Sequence, residues 1–217
     1  MTTRTLLDKE LNKLREHLLH IESMVQSAIE RAIRALKEQD GQLAQQIIND
    51  DEGINKLRYK VEKLGVTTIA TQQPMASDLR MIISAMHVAV ELERMGDHAA
   101  GIAHIAIELC NEPLLKPLID IPRMAEIAQG MLRDSIQAFM DDNADAARAI
   151  ATRDDEIDQL YDQILRELLT YMIEDPRNIR RATYLLWVAH ALERIGDRVT
   201  NISERVLFME TGKFKED

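Results

Sequence analysis

Apolar residues along the chain fall in long amphipathic stretches, not in the strict apolar–polar alternation of a half-buried strand. No run of alternating β-branched residues bounded by turn residues is present. The stretches are interrupted by Asp40-Gly41, Gln73-Pro74 and Asp175-Pro176, and by Pro113, Pro117 and Pro122 within NEPLLKPLIDIP. Proline lacks the backbone donor and fixes φ, so helices are expected to stop at these points. The pattern predicts six helices, over about 6–39, 42–71, 77–110, 123–141, 144–174 and 178–210. Ser77 is the expected N-cap of the third, with Asp78 in its first turn.

The two halves align with each other. AIRALKEQDGQLAQQIINDDEGINKL, from residue 32, matches SIQAFMDDNADAARAIATRDDEIDQL, from residue 135, at a constant offset of 103 (135 − 32). Beyond the prolines at 74 and 176 the offset is 100, as Leu79-Arg80 against Ile179-Arg180 shows (179 − 79). Each unit is longer than the roughly 20–50 residues of a solenoid repeat. The expectation is an all-α protein of two tandem three-helix bundles, units 1–112 and 123–217, joined by a Pro-rich linker at 113–122.

Composition agrees with this reading. At 46% apolar a core is available, and the dominance of Ala, Leu, Ile, Glu, Arg and Gln over aromatics, at 4%, favours helix. Lys plus Arg number 27 and Asp plus Glu 37, a net charge of 27 − 37 = −10. Such a surface repels nucleic acid and suits a protein that meets cations or a basic partner. The first residues, MTTRTLLDKELNK, lack the apolar stretch of a signal peptide, and MIISAMHVAV (81–90) is about half the length of a membrane span. Cys110 is the single cysteine, so no intrachain disulfide forms, and a cytoplasmic location is expected.

The candidate chemistry is acidic and repeated. Leu-Glu-Arg-x-Gly-Asp occurs at 92–97 and again at 192–197. Glu93/Asp97 and Glu193/Asp197 are four apart, on one helix face, where like charges repel unless a cation compensates. Gly96 and Gly196 each cost about 1 kcal/mol against Ala within a helix, and each lets another helix or an ion approach the backbone. A second set, Asp51/Asn55 and Asp154/Asp158, lies about as far before each proline turn as the first set lies after it. Antiparallel helices of equal rise bring them level to within about one turn. Two four-residue oxygen clusters result, of a kind that suits Mg, Ca, Mn or Fe and also admits Zn. A single acidic pair reads more simply as a solvated face, and the repeated Arg80, Arg94, Arg180 and Arg194 offer salt bridges in place of metal. His190 lies three residues before Glu193; His17, His20, His87, His98 and His104 show no paired spacing and read as surface or packing residues.

ASDLR (76–80), ELERMGDHA (91–99), LTYMIEDPRNI (169–179) and ALERIGDRVTNI (191–202) together resemble the PhoU family of accessory and regulatory proteins of bacterial phosphate uptake. The resemblance covers nearly the whole chain. It implies two three-helix bundles related by an internal pseudo-twofold axis. It implies multinuclear metal sites in some members, carried over here onto Asp51, Asn55, Glu93 and Asp97 and onto Asp154, Asp158, Glu193 and Asp197. Asn55 departs from a fully acidic pattern, and Gly101 stands where the second copy has the more familiar Asn201. The implied role is negative regulation through the transporter's ATPase subunit and a phosphate-sensing histidine kinase. The competing reading is a metal-dependent hydrolase or oxidase built on the carboxylate clusters. No G-x-x-x-x-G-K-[ST] loop is present for a nucleotide, and no acid, base and pocket are legible together, so a non-enzymatic regulator is expected. An exposed face on a long amphipathic helix would allow a homodimer.

Overall fold

The protein is described here by a computed structural model. It covers residues 3–213; residues 1–2 and 214–217, at the outer ends of the two expected units, lie outside the described residues. Helix α1 (Thr3–Glu38), α2 (Gly41–Gln72) and α3 (Ser77–Leu109) pack together; α4 (Asp120–Met140), α5 (Ala144–Ala151), α6 (Asp154–Glu174) and α7 (Ile179–Thr211) do the same. Helix α3 lies along α7, and α1 touches α4. The described residues contain no strand.

The cores follow from residue spacing. In α1, Leu14, Leu18, Ile21, Val25, Ile29, Ala32 and Leu36 recur every three or four residues and are buried. In α4, Ile121, Met124, Ala128, Leu132, Ser135 and Phe139 take the same register 103 residues later. The caps repeat as well. Asp40 accepts hydrogen bonds from the amides of Gln42 (3.0 Å) and Leu43 (2.9 Å) at the start of α2. Asn143, its equivalent, accepts from the amide of Ala146 at 3.0 Å at the start of α5.

Three local expectations are corrected. Residues 144–174 are two helices, not one. The break falls at Thr152-Arg153, where the Arg153 amide bonds back to the Ile150 carbonyl at 2.9 Å, a three-residue turn, and Thr152 Oγ donates to the Ala149 carbonyl at 2.8 Å. Ser77 is the first helical residue and not the cap; Ala76 occupies the cap position at φ 46° with no side-chain hydrogen bond. Pro122 lies inside the first turn of α4, where a missing amide costs no helical bond, so that helix begins at Asp120. The crossing segment is tied to the second bundle by Lys116 to Glu167 and by Arg181 Nη1 to the Pro113 carbonyl at 3.0 Å.

Candidate functional site

The hairpins bring the predicted residues together. In the first bundle Asp51 and Asn55 project from α2 toward Glu93 and Asp97 on α3. Gly96 makes this approach physical: a Cβ there would stand 2.9 Å from Ile54 Cδ1 and 3.1 Å from Asp51 Oδ1. The Asp51 carboxylate therefore rests on the α3 backbone. Asn55 Nδ2 donates to Asp51 Oδ2 at 3.0 Å, while Asp51 Oδ1 is buried with no hydrogen-bond partner. Burial first, then the charges of Asp97 and Glu93, push the Asp51 carboxyl above its ordinary range. Glu93 is raised in the same way by burial and Asp97, with Arg58, 3.9 Å away, pulling against the shift.

The second bundle repeats the arrangement with Asp154 and Asp158 on α6 and Glu193 and Asp197 on α7. A Cβ on Gly196 would stand 2.7 Å from Asp154 Oδ1 and 3.0 Å from Ile157 Cδ1. Asp154 Oδ1 is buried and unpartnered, as its equivalent is. Burial, followed by Asp158 and Asp197, pushes Asp154 up to about 6. Asp154 lies in the first turn of α6, where the helix end favours a negative charge; burial and crowding win there. Asp158 and Glu193 are also raised, each by burial first and Asp197 next.

The repeated arginines divide between the clusters and elsewhere. Arg194 bridges Asp197 at 2.7 Å and lies 3.4 Å from Glu193. Arg94 reaches Glu91, Arg180 reaches Glu108 and Glu112, and Arg80 donates to the Met209 carbonyl. Salt bridging thus covers part of the second cluster and little of the first. His190 Nδ1 lies 3.4 Å from Glu193 Oε2. Among the described residues, no three His, Cys, Asp or Glu side chains already converge as a metal-ligand set. The donors still fit a hard cation. Carboxylate oxygens are crowded at one level of each hairpin, and Asp51 Oδ1 in the first and Asp154 Oδ1 and Glu193 Oε2 in the second are buried without a hydrogen-bond partner.

Arg58, and the contacts between the two bundles beside the clusters, escaped sequence reading. Arg198 and Asn201 of α7 reach Glu91 of α3 at 3.4 and 3.2 Å. His98, beside Asp97, feels both Arg198 and His190; burial and Arg198 lower its pKa. Arg198 and Asn201 stand 107 and 110 positions from Glu91, in the other repeat, and only the α3–α7 contact makes them neighbours. Their signal in sequence was a set of exceptions to the repeat: Glu91 faces Ala191 in the alignment, His98 faces Arg198, and Gly101 faces Asn201.

Two segments, 18–106 and 121–206, each match the family model described as the PhoU domain. The chain belongs to the PhoU family. It is 41% identical over 207 residues to the phosphate-specific transport system accessory protein PhoU homolog of Aquifex aeolicus strain VF5, covering 95% of this chain and 94% of that protein. The protein of the same description from Pseudomonas putida is 41% identical, over 94% of this chain and 80% of its own length. Among solved structures, PhoU from Pseudomonas aeruginosa superposes with a TM-score of 0.90 at 38% identity, over 95% of this chain and 99% of the other. The phosphate transport system regulatory protein PhoU from Streptococcus pneumoniae superposes with a TM-score of 0.89 at 34% identity, over 96% and 98%. Among the described residues, no helix of this family member is long and apolar enough to cross a membrane.

Proposed function

We propose that this protein is a non-enzymatic, cytoplasmic negative regulator of phosphate uptake and of the phosphate-starvation response. It acts by contact with the transporter's ATPase subunit and with a phosphate-sensing histidine kinase. The observation that carries the reading is the match of two PhoU domains along the chain, with relatives described as accessory proteins of phosphate-specific transport. The net charge of −10 supports control through proteins in place of DNA.

The acidic clusters supply the contact chemistry in this reading. Asp51, Asn55, Glu93 and Asp97 would hold one divalent-ion site; Asp154, Asp158, Glu193 and Asp197 would hold the other. A bound Fe, Mn, Mg or Zn ion would neutralise carboxylates that now repel. Asp51 and Asp154 lie against the backbone of α3 at Gly96 and of α7 at Gly196, so a cation or a basic partner side chain arriving there would tighten both hairpins.

Deleting the gene tests the regulator reading. Phosphate-starvation genes are expected to stay on in rich phosphate, and the wild-type gene to silence them. Normal control in the deletion strain, with no second copy present, overturns the regulator reading. Glu93→Ala with Glu193→Ala is expected to silence them poorly at normal protein levels; full silencing by that double variant assigns the motif to packing alone.

A further inference from the structure

Each acidic cluster has an arginine beside it, but from a different place in the repeated plan. Arg94 of α3 corresponds to Arg194 of α7 (194 − 94 = 100), yet the two turn different ways. Arg194 bridges Asp197 at 2.7 Å within its own helix. Arg94 lies 3.7 Å from Glu91, one helical turn back, where α7 has Ala191. Glu91 thus draws away from the first cluster the arginine that the second keeps.

Arg58 of α2 takes its place. Its counterpart 103 residues later is Tyr161 of α6, so the second hairpin has an uncharged ring at this position. Arg58 Nε lies 3.9 Å from Glu93 Oε1 on α3, and that Nε is buried with no hydrogen-bond partner. Two neighbours on α2 hold the guanidinium there. Nη1 donates to Glu62 Oε2 at 2.8 Å, and the guanidinium carbon lies 4.0 Å from the centre of the Tyr59 ring. Glu62 corresponds to Leu165, so the second bundle lacks the tether as well. The Arg58 and Glu93 side chains are each 18% exposed, against 44% for Arg194. An arginine at the rim swings into water at little cost, whereas a mostly buried one that leaves its place uncovers a mostly buried carboxylate. The other positions differ in the same sense. Asn55 is neutral where Asp158 is not, and Val90 stands where His190 brings a ring nitrogen to 3.4 Å from Glu193.

We propose that Arg58 is a tethered counter-ion of the first cluster that competes with a divalent ion for Glu93, so that the second cluster is the readily exchangeable ion site. The inference rests on the ion-site reading of the clusters, and adds to it the residue that makes them unequal; it does not rest on the regulatory role.

The test uses the full chain, stripped of divalent metal and titrated with Mn²⁺. Occupancy of each cluster is read from paramagnetic broadening of the Gly96 and Gly196 amides. In wild type, Gly196 is expected to broaden at Mn²⁺ concentrations at least about tenfold below those that broaden Gly96. Arg58→Tyr, which copies Tyr161, is expected to lower the concentration needed at Gly96 about tenfold or more and to leave Gly196 unmoved. If that variant does not fold, Arg58→Gln, which keeps a polar side chain without the charge, replaces it with the same expectation. A second measurement needs no metal. Thermal unfolding at neutral pH of wild type, Arg58→Gln, Glu93→Gln and the double variant is expected to show coupling, the loss at Arg58 shrinking once Glu93 carries no charge. Broadening at neither glycine in any of the proteins overturns the ion-site reading, and the competition with it. Additive losses in the metal-free cycle, equal broadening of the two glycines in wild type, or a Gly96 response that neither variant moves overturns the inference alone.

Discussion

Gln26 and Gln129 donate to each other. Gln26 Nε2 reaches the Gln129 carbonyl at 2.9 Å, and Gln129 Nε2 reaches the Gln26 carbonyl at 3.0 Å. The two residues are equivalents, 103 positions apart (129 − 26), on α1 and α4. Exchange of the same bond in both directions between equivalent residues is what a local twofold axis requires, and it places that axis between α1 and α4. Gln26→Ala and Gln129→Ala should each cost about 0.5–1.5 kcal/mol. The double variant should cost close to their sum, because the two side chains bond to backbone carbonyls and not to each other; Gln26 Nε2 also donates to Glu22 Oε1 at 3.0 Å within its own helix. Urea unfolding of the four proteins checks this, and strong non-additivity counts against two separate bonds.

A second equivalent pair has its charges exchanged. Arg31 bridges Asp50 at 2.7 Å, and Arg153 bridges Asp134 at 2.6 Å, in the same relative positions. Since the second bundle has its acid on α4 and its base at the break before α6, the first should accept that arrangement. Arg31→Asp or Asp50→Arg alone is expected to lower the melting temperature. Arg31→Asp together with Asp50→Arg is expected to regain most of the loss, within the ~1 kcal/mol or less of an exposed bridge. Thermal unfolding monitored by circular dichroism reads the four states.

Gly196→Ala should destabilise, although Ala is the better helix former by about 1 kcal/mol. The added Cβ would meet Asp154 Oδ1 at 2.7 Å, and Ile157 Cδ1 at 3.0 Å. Shortening the carboxylate with Asp154→Ala should relieve part of the clash. A positive coupling in that double-mutant cycle, measured by denaturant unfolding, is the expected result; Gly196→Ala more stable than wild type would contradict the close approach.

Asp154 predicts a pH dependence. Its folded-state carboxyl is pushed from 3.8 to about 6, so between those values the folded protein holds the proton more tightly than the unfolded one. The stability it contributes is present below pH 4 and is lost as pH rises through 6. Asp154→Asn, which keeps the shape without the charge, should flatten that part of the melting-temperature profile in chelator. Adding Mn²⁺ at pH 7 should raise the melting temperature of wild type more than that of Asp154→Asn. Equal responses would show that the cation does not use this carboxylate.

The helices announced themselves where punctuation was local: Asp40-Gly41, the prolines and the 103-residue repeat. Counting along equal helical rise also placed Asp51 and Asn55 beside Glu93 and Asp97, because two straight antiparallel helices leave little freedom. The break at Thr152-Arg153 carried no Gly or Pro to mark it. Pro122 misled in the other direction, since a first-turn proline looks like any other in sequence. The unpartnered oxygens of Asp51 and Asp154 depend on how closely two helices approach, a distance that residue types bound but do not fix.

The exchanged charges of Arg31–Asp50 and Asp134–Arg153 also bear on how the chain reaches this structure. A protein made of two copies of one plan risks helices docking in the wrong copy, since the apolar registers of α1 and α4 are interchangeable. Were α4 to take the place of α1, Asp134 would face Asp50; in the converse swap Arg31 would face Arg153. Correct docking joins opposite charges, and either exchange opposes like ones, so the bridge serves as a sorting mark during folding, whatever its small worth to the finished molecule.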